Sequence, residues 1–385
     1  MLHVLVGATC NNNCIFCMES DRGRRRTHIL SQSADDIRRM IESYPDKTEI
    51  LFTSGEPTLA PRLPDYITSA HTAGYRTIAL ISNGRRLSYP EYTRHLIECG
   101  LNKITVSIHG HRPEIHDSLT RTGGSFLQTV RGLENLAREK RRRPLDLHSS
   151  TVVVGRNLPY LVDIYEFLRD KSVDRMVFNV LMLKGRGLDH IGTLMPTYRQ
   201  IASKLHELAQ RISAADRQRV TVADIPRCTA LGLPFDIVGD QERFSQFEPS
   251  QSLGVEGLSM EDLRRMQAEG SNKMLQASLL DVVSEGEGCL EGNSEYYLTT
   301  RELKDGLMRT KRPLCSTCIH EPGCPGVWEG YTARYGWDEF ISVQADGPPG
   351  EKTNQKQRAT NLPKELSSTV GTPTAGAEPR SKSEK

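Results

Sequence analysis

The chain has 385 residues with 50 Lys and Arg against 48 Asp and Glu, a formal charge of +2, and a mean hydropathy of −0.48. That length suggests roughly two domains, and the near-neutral charge gives no general electrostatic pull toward nucleic acid or a membrane surface. The first residues are already strand-like and no long apolar run occurs, so neither a signal peptide nor a membrane span is expected, the protein reads as cytoplasmic, and its nine cysteines suggest metal ligation rather than disulfides.

From the start to about residue 181, short β-branched runs alternate with amphipathic stretches, the pattern of βα units and a parallel sheet. Six strands are predicted, at 4–6, 49–52, 77–81, 104–108, 150–154 and 176–180. Between them, Ser33 and Asp36 form a capping-box-like start to a helix whose Ile37, Met40, Ile41 and Tyr44 share one face. Phe126, Val130, Leu133 and Leu136 line a second stripe, and Leu158, Leu161, Ile164 and Phe167 a third. These stripes are core. Successive parallel units of this kind curl into an open partial barrel with its functional loops at the carboxyl ends of the strands.

Special residues cluster at those ends. After strand 1 comes Cys10-Asn11-Asn12-Asn13-Cys14-Ile15-Phe16-Cys17, three thiols at C-x3-C-x2-C that converge on a common point. Three ligands are one short of a closed tetrahedral site, so an open coordination position is expected. Strand 2 is followed by Thr53-Ser54-Gly55-Glu56-Pro57, where Gly55 admits close backbone approach and Pro57 keeps the loop extended, an arrangement suited to gripping an amino acid's ammonium. Strand 3 is followed by Ser82-Asn83-Gly84 and strand 4 by Ser107-Ile108-His109-Gly110. His109, His111 and His116 read as loop braces.

Beyond residue 195 the alternation stops. A helical stretch at 198–211 leads to a short strand-like run, then Ile225-Pro226-Arg227-Cys228 and a polar insertion at 240–284 with a helix near 260–269. Next come Cys315-Ser316-Thr317-Cys318 and Cys324, three thiols at C-x2-C-x5-C that suit zinc or iron–sulfur equally. Either Cys228, on a proline-stiffened turn, or Cys289, in a Gly- and Glu-rich stretch, completes the set; the entropy of ordering favours Cys228. Cys99 reads as an ordinary buried thiol. The basic runs 24–26 and 141–143 lack interleaved aromatics and read as solvated charge, so nucleic acid is not an expected partner. From residue 346 the composition is that of a disordered tail.

The first cysteine loop resembles that of the radical S-adenosylmethionine (SAM) superfamily, with Phe16 as the aromatic before the last cysteine. The resemblance implies that Cys10, Cys14 and Cys17 hold a [4Fe-4S] cluster whose fourth iron is chelated by SAM, with Phe16 near the adenine. Ser54-Gly55-Glu56-Pro57 resembles the family's G-G-E-P, with Ser54 in place of the first glycine, and so Ser54, Gly55 and Glu56 would bind the methionine amino group. Ser82 and Asn83 belong to a stretch similar to T-N-G, and Ser107 matches a position that contacts the ribose or carboxylate. C-x2-C-x5-C resembles the centre of the SPASM/twitch extension. It implies one auxiliary [4Fe-4S] cluster on Cys228, Cys315, Cys318 and Cys324, since Trp328 stands where the longer pattern wants a further cysteine.

The implied architecture is α/β, a partial (β/α)6 TIM-like barrel at 1–195, a connecting region at 196–286, a small Cys-rich auxiliary-cluster domain at 287–345 and the tail at 346–385. The implied activity is reductive SAM cleavage to a 5′-deoxyadenosyl radical that abstracts hydrogen from a substrate carbon, with an electron donor such as flavodoxin or ferredoxin. The substrate would be a peptide of ribosomal origin, a small-molecule cofactor precursor or a sugar. A non-enzymatic zinc or iron–sulfur module is the competing class.

Overall fold

The computed structural model describes residues 1–7, 9–18, 33–238 and 309–344. The expected helix near 260–269, Cys289 and the tail from 346 lie outside them. Six strands form as expected: β1 (Leu2–Leu5), β2 (Glu49–Thr53), β3 (Thr77–Ser82), β4 (Lys103–Ser107), β5 (Asp146–Val153) and β6 (Arg175–Val180). The sheet then runs two strands further than the sequence suggested, through β7 (Val220–Ala223) and β8 (Asp236–Val238). All eight pair in chain order and in parallel, from Leu2 opposite Ile50 to Thr221 opposite Asp236. No pairing of β8 with β1 closes it, so the described sheet is open.

One face of the sheet is apolar and packs in the core, while the other carries polar residues such as Thr105, Ser107, His148, Ser150 and Asn179. Val4, Ile50, Phe52, Ile78, Leu80, Ile104, Val106, Phe178 and Val222 are all buried. The helix Ala34–Ser43 starts on the expected box, Ser33 accepting from Asp36 N and Asp36 from Ser33 N, and buries Ile37 and Ile41. Ser125–Lys140 buries Phe126, Leu133 and Leu136. Tyr198–Arg211, which delivers the chain to β7, opens on a second box between Thr197 and Gln200 and buries Ile201, Leu205 and Leu208. β7 was missed as a sheet strand because a run of four residues carries little periodicity.

After β8 the next described elements are the antiparallel pair β9 (Arg309–Thr310) and β10 (Val327–Trp328), with Thr310 opposite Val327. The helix Glu329–Tyr335 follows and packs on the start of Tyr198–Arg211. Tyr331 accepts a 2.9 Å hydrogen bond from Tyr198 N and donates to Glu339, Tyr335 donates to the carbonyl of Met195 at 2.8 Å, and the Tyr198 and Tyr331 rings lie 4.4 Å apart. The described residues up to Val343 belong to one compact unit. Among the described residues no helix is long and apolar enough to cross a membrane.

Candidate active site

A cavity of about 310 Å³ opens at the carboxyl ends of the strands, where parallel sheets place their sites. Cys10, Cys14 and Cys17 line it. So do Phe16, Ser54, Gly55, Glu56, Ser82, Asn83 and Ser107, so the loops after β1, β2, β3 and β4 meet at one place.

The cysteine loop is clamped from three directions. Asn13 N and Ile15 N donate to the carbonyls of Thr120 and Leu119, each at 2.9 Å, at the end of the helix Pro113–Thr120. Arg85, just past Ser82-Asn83-Gly84, donates to the Asn11 carbonyl and to Asn12 Oδ1, and Asn83 donates to Asn11 Oδ1 at 2.6 Å. Arg186, just past β6, donates from Nη1 to Asn13 Oδ1 and the Cys14 carbonyl and from its backbone to the Cys17 carbonyl. Two arginines facing a three-thiol loop supply the positive field that thiolates require.

The thiols themselves show what is needed to ionise them. Burial first, then the charges of Cys17 and Cys10, push Cys14 up to about 12, against a backbone hydrogen bond in its own loop and Arg186. Three thiolates therefore coexist here only around a cation, and the donor set of three soft sulfurs beside an open cavity fits an iron–sulfur cluster. No group of three or more His, Cys, Asp or Glu among the described residues is arranged to hold a single metal ion.

Next to this loop Ser54 and Gly55 both adopt left-handed backbone, φ 85° and 54°. Glycine does so freely and serine does not, and the Ser54 hydroxyl donates to the Gly7 carbonyl at 2.9 Å. Glu56 is 2 % exposed. Its Oε1 accepts from Thr58 N, Thr58 Oγ1 and Ser82 Oγ and its Oε2 from Asn83 N. Burial still holds its carboxyl above the usual range. The carboxylate braces the β2 loop against the end of β3, and Glu56 lines the cavity together with Ser54 and Gly55.

His109 and His116 are buried and stacked with centroids 5.7 Å apart, and Phe16 meets His109 edge-on at 4.7 Å. Burial, then His116, keeps His109 well below its ordinary pKa. Its Nδ1 accepts from Val152 N at 3.2 Å, so the neutral ring carries its proton on Nε2. His116, brought to about 4 by burial, accepts from His109 N. Both brace loops, as expected. His111 is braced too, tilted against Tyr160 at 5.5 Å.

Sequence reasoning missed the side of the cavity built by β5, β6 and β7, where Ser150, Asn179 and Asp224 line it. Asn179 donates to Ser150 Oγ at 2.8 Å. Asp224 faces Arg309 of β9, Nη2 to Oδ1 3.7 Å, and the Arg309 guanidinium lies 4.2 Å over Trp328. Lys184 is fully buried nearby, 5.9 Å over the same ring. Burial, then Arg309, brings it down to about 7, against Asp224. Applying the strand-end rule to the run at 220–223 would have pointed at Asp224.

Cys228, Cys315, Cys318 and Cys324 of the second thiol set all lie among the described residues. Cys228 sits on a 3-10 turn, Arg227–Thr229, fixed by Thr229 N to the Pro226 carbonyl at 2.9 Å. Burial pushes its thiol up to about 11, a backbone hydrogen bond from Ile341 opposes this, and the charges of Cys324, Cys318 and Cys315 add to it, which puts all four sulfurs within electrostatic reach. Gly326 N donates to Cys324 Sγ at 3.4 Å. Cys99 is half-buried against His95, away from both sets.

Residues 4–168 match the model of the radical SAM superfamily. The chain is 26% identical over 213 residues to a probable GTP 3′,8-cyclase of Methanothermobacter thermautotrophicus, covering 55% of this chain and 67% of that protein. It is 31% identical over 198 residues to the mycofactocin maturase MftC of Mycobacterium ulcerans, half of each chain, and 27% identical over 207 residues to the AdoMet-dependent heme synthase of Methanosarcina barkeri, 52% of this chain and 56% of that one. The matches thus span about half to two thirds of these relatives. Native anSMEcpe with bound AdoMet and Kp18Cys peptide superposes with a TM-score of 0.50 at 14% identity, covering 90% of this chain and 91% of that one, a likeness of fold.

Proposed function

We propose, from the premise that residues 4–168 belong to the radical SAM superfamily, that the chain binds a [4Fe-4S] cluster through Cys10, Cys14 and Cys17, holds SAM against it and removes a hydrogen atom from a substrate carbon. The observation that carries this is the meeting of the three thiols with Ser54, Gly55, Ser82, Asn83 and Ser107 around one cavity. When bound, the cluster and SAM supply one-electron cleavage to methionine and a 5′-deoxyadenosyl radical, chemistry that belongs to the cofactor.

The chain's part is to orient and to seal. Arg85 and Arg186 hold the thiol loop in shape and offset its negative charge. Glu56 fixes the β2 and β3 loops to each other so that Ser54, Gly55, Ser82 and Asn83 keep a constant spacing around the methionine end. Phe16 and His109 wall the cavity with rings that have no hydrogen easily lost, and the neutral His109 carries its proton on Nε2. Cys228, Cys315, Cys318 and Cys324 hold an auxiliary [4Fe-4S] cluster, supported by their mutual electrostatic reach. An electron donor of the flavodoxin or ferredoxin kind serves the first cluster.

A peptide is the substrate class we favour, in keeping with the maturase among the relatives. A small-molecule precursor is the second reading, favoured by the cyclase and heme synthase matches. Anaerobic reconstitution tests the metal content: about eight irons and eight sulfides per chain are expected for two [4Fe-4S] clusters. Stoichiometric zinc without labile sulfide contradicts it and restores the non-enzymatic reading.

A further inference from the structure

The cavity has two differently furnished sides. Loops after β1 to β4 bring the thiols and the cofactor residues; Ser150, Asn179 and Asp224, from β5, β6 and β7, belong to no motif. Two buried carboxylates line the cavity, Glu56 and Asp224. Glu56 accepts four hydrogen bonds. The Asp224 carboxylate accepts none from the described residues: Oδ1 is sealed from solvent and lies 3.7 Å from Arg309 Nη2, too far for a hydrogen bond. That leaves Oδ2 as the acceptor for the cavity.

Asp224 is also held in left-handed backbone, φ 62°. Of the four described non-glycine residues with positive φ, Ser54 and Asp224 both line this cavity. Such strain in a residue other than glycine concentrates where a side chain must be aimed. Its charge is balanced by Arg309, with Lys184 alongside, while no described residue donates a hydrogen bond to it, a state that buried polar groups rarely tolerate.

We propose that Asp224 is the substrate anchor of this cavity, accepting a hydrogen bond from a neutral donor of the kind a secondary amide N–H supplies. An anion would meet the charge of Asp224 itself, and a cation would add to those of Arg309 and Lys184; a neutral donor leaves the balance as it is. Peptide backbone offers such a donor, its N–H, directly beside an abstractable hydrogen on Cα. The inference rests on the radical SAM reading for what occupies the opposite side.

The test uses the reconstituted full chain with SAM and dithionite, and a pair of probes, N-methylacetamide deuterated on the N-methyl group and N,N-dimethylacetamide deuterated likewise. In the step read out, a C–D bond breaks homolytically and the deuterium atom joins the 5′ carbon; the amide-derived carbon radical takes an electron from dithionite and a proton from water. We expect the deuterated fraction of 5′-deoxyadenosine to be about tenfold higher from the secondary than from the tertiary amide, the worth of about one hydrogen bond, and Asp224→Ala to erase that preference. Saturation-transfer NMR on the same protein with its clusters oxidised should show contact with N-methylacetamide that Asp224→Ala loses. Equal labelling from the two amides, or a preference that survives Asp224→Ala, overturns the proposal, as does stronger labelling from deuterated propionate. Absence of any 5′-deoxyadenosine from the wild-type chain instead overturns the radical SAM reading, so the two failures are distinct.

Discussion

The hydroxyl of Ser54 donates to the carbonyl of Gly7 at 2.9 Å, across 47 positions of sequence. It continues the pairing of β1 and β2 past its last backbone rung, Val6 N to the Thr53 carbonyl, toward Glu56 N to the Thr9 carbonyl. The tie ends three residues before Cys10, and it exists because a serine occupies a left-handed position where the resembling motif has glycine. Ser54→Ala keeps the strained backbone and loses the tie, and should cost about 1–2 kcal/mol in urea unfolding. Ser54→Gly also loses the tie but relieves the strain, and should stay within about 1 kcal/mol of wild type. Both should bind SAM more weakly. Equal destabilisation by the two variants contradicts this account.

Glu56→Gln places an amide NH₂ where Thr58, Ser82 and Asn83 all present donors to the carboxylate. At least one buried donor then lacks an acceptor, at about 1–3 kcal/mol. Thermal unfolding of the metal-free chain should show the loss. A variant as stable as wild type means that the loops after β2 and β3 are held by something else.

Lys184 gives the protein a pH dependence with a definite sign. Its folded pKa lies at about 7 against an ordinary value near 10.4 unfolded, so between these limits the unfolded chain binds more protons and stability rises with pH. Below 7 the cost of burying the charge is fully present. Lys184→Met removes it, and should be more stable than wild type by about 1–3 kcal/mol at pH 6.5, an advantage that shrinks as the pH reaches 9. Denaturant unfolding of both proteins across that range checks it; a constant difference contradicts it.

The second thiol set predicts a difference between Cys228 and Cys289. In a background lacking Cys10, Cys14 and Cys17, Cys228→Ala should lose the remaining iron and its absorption, because Cys228 lies within electrostatic reach of Cys315, Cys318 and Cys324. Cys289→Ala should keep both. Loss with Cys289→Ala alone reverses the assignment, and retention in both variants means an iron left open to substrate.

Much of this architecture was legible because it is written in periodicity and in strand-end chemistry. Ile37 with Ile41 and Leu133 with Leu136 announce helix faces, and Cys10, Ser54, Ser82 and Ser107 announce four consecutive strand ends. β7 and β8 were not legible, since Val220–Ala223 and Asp236–Val238 are too short to show a period and their connection has no long helix. Asp224, Lys184 and Arg309 were hidden for the same reason: they come from distant stretches, and only the sheet's added strands and β9 bring them to one place. The bracing by Glu56 was not legible, because sequence shows a carboxylate in a loop but not the four donors that enclose it.

The account's central claim is that the thiol loop on the cavity floor holds a cluster that cleaves SAM. The direct measurement is the yield of 5′-deoxyadenosine from SAM with anaerobically reconstituted, dithionite-reduced chain, compared between wild type and Cys14→Ala. The thiol of Cys14 lies between those of Cys10 and Cys17 in the loop and is raised in pKa by both, and a three-thiol site has no spare ligand. Wild type should release 5′-deoxyadenosine without added substrate, and Cys14→Ala should release none above background. Undiminished 5′-deoxyadenosine from Cys14→Ala, or none from wild type carrying its full complement of iron and sulfide, would contradict the claim.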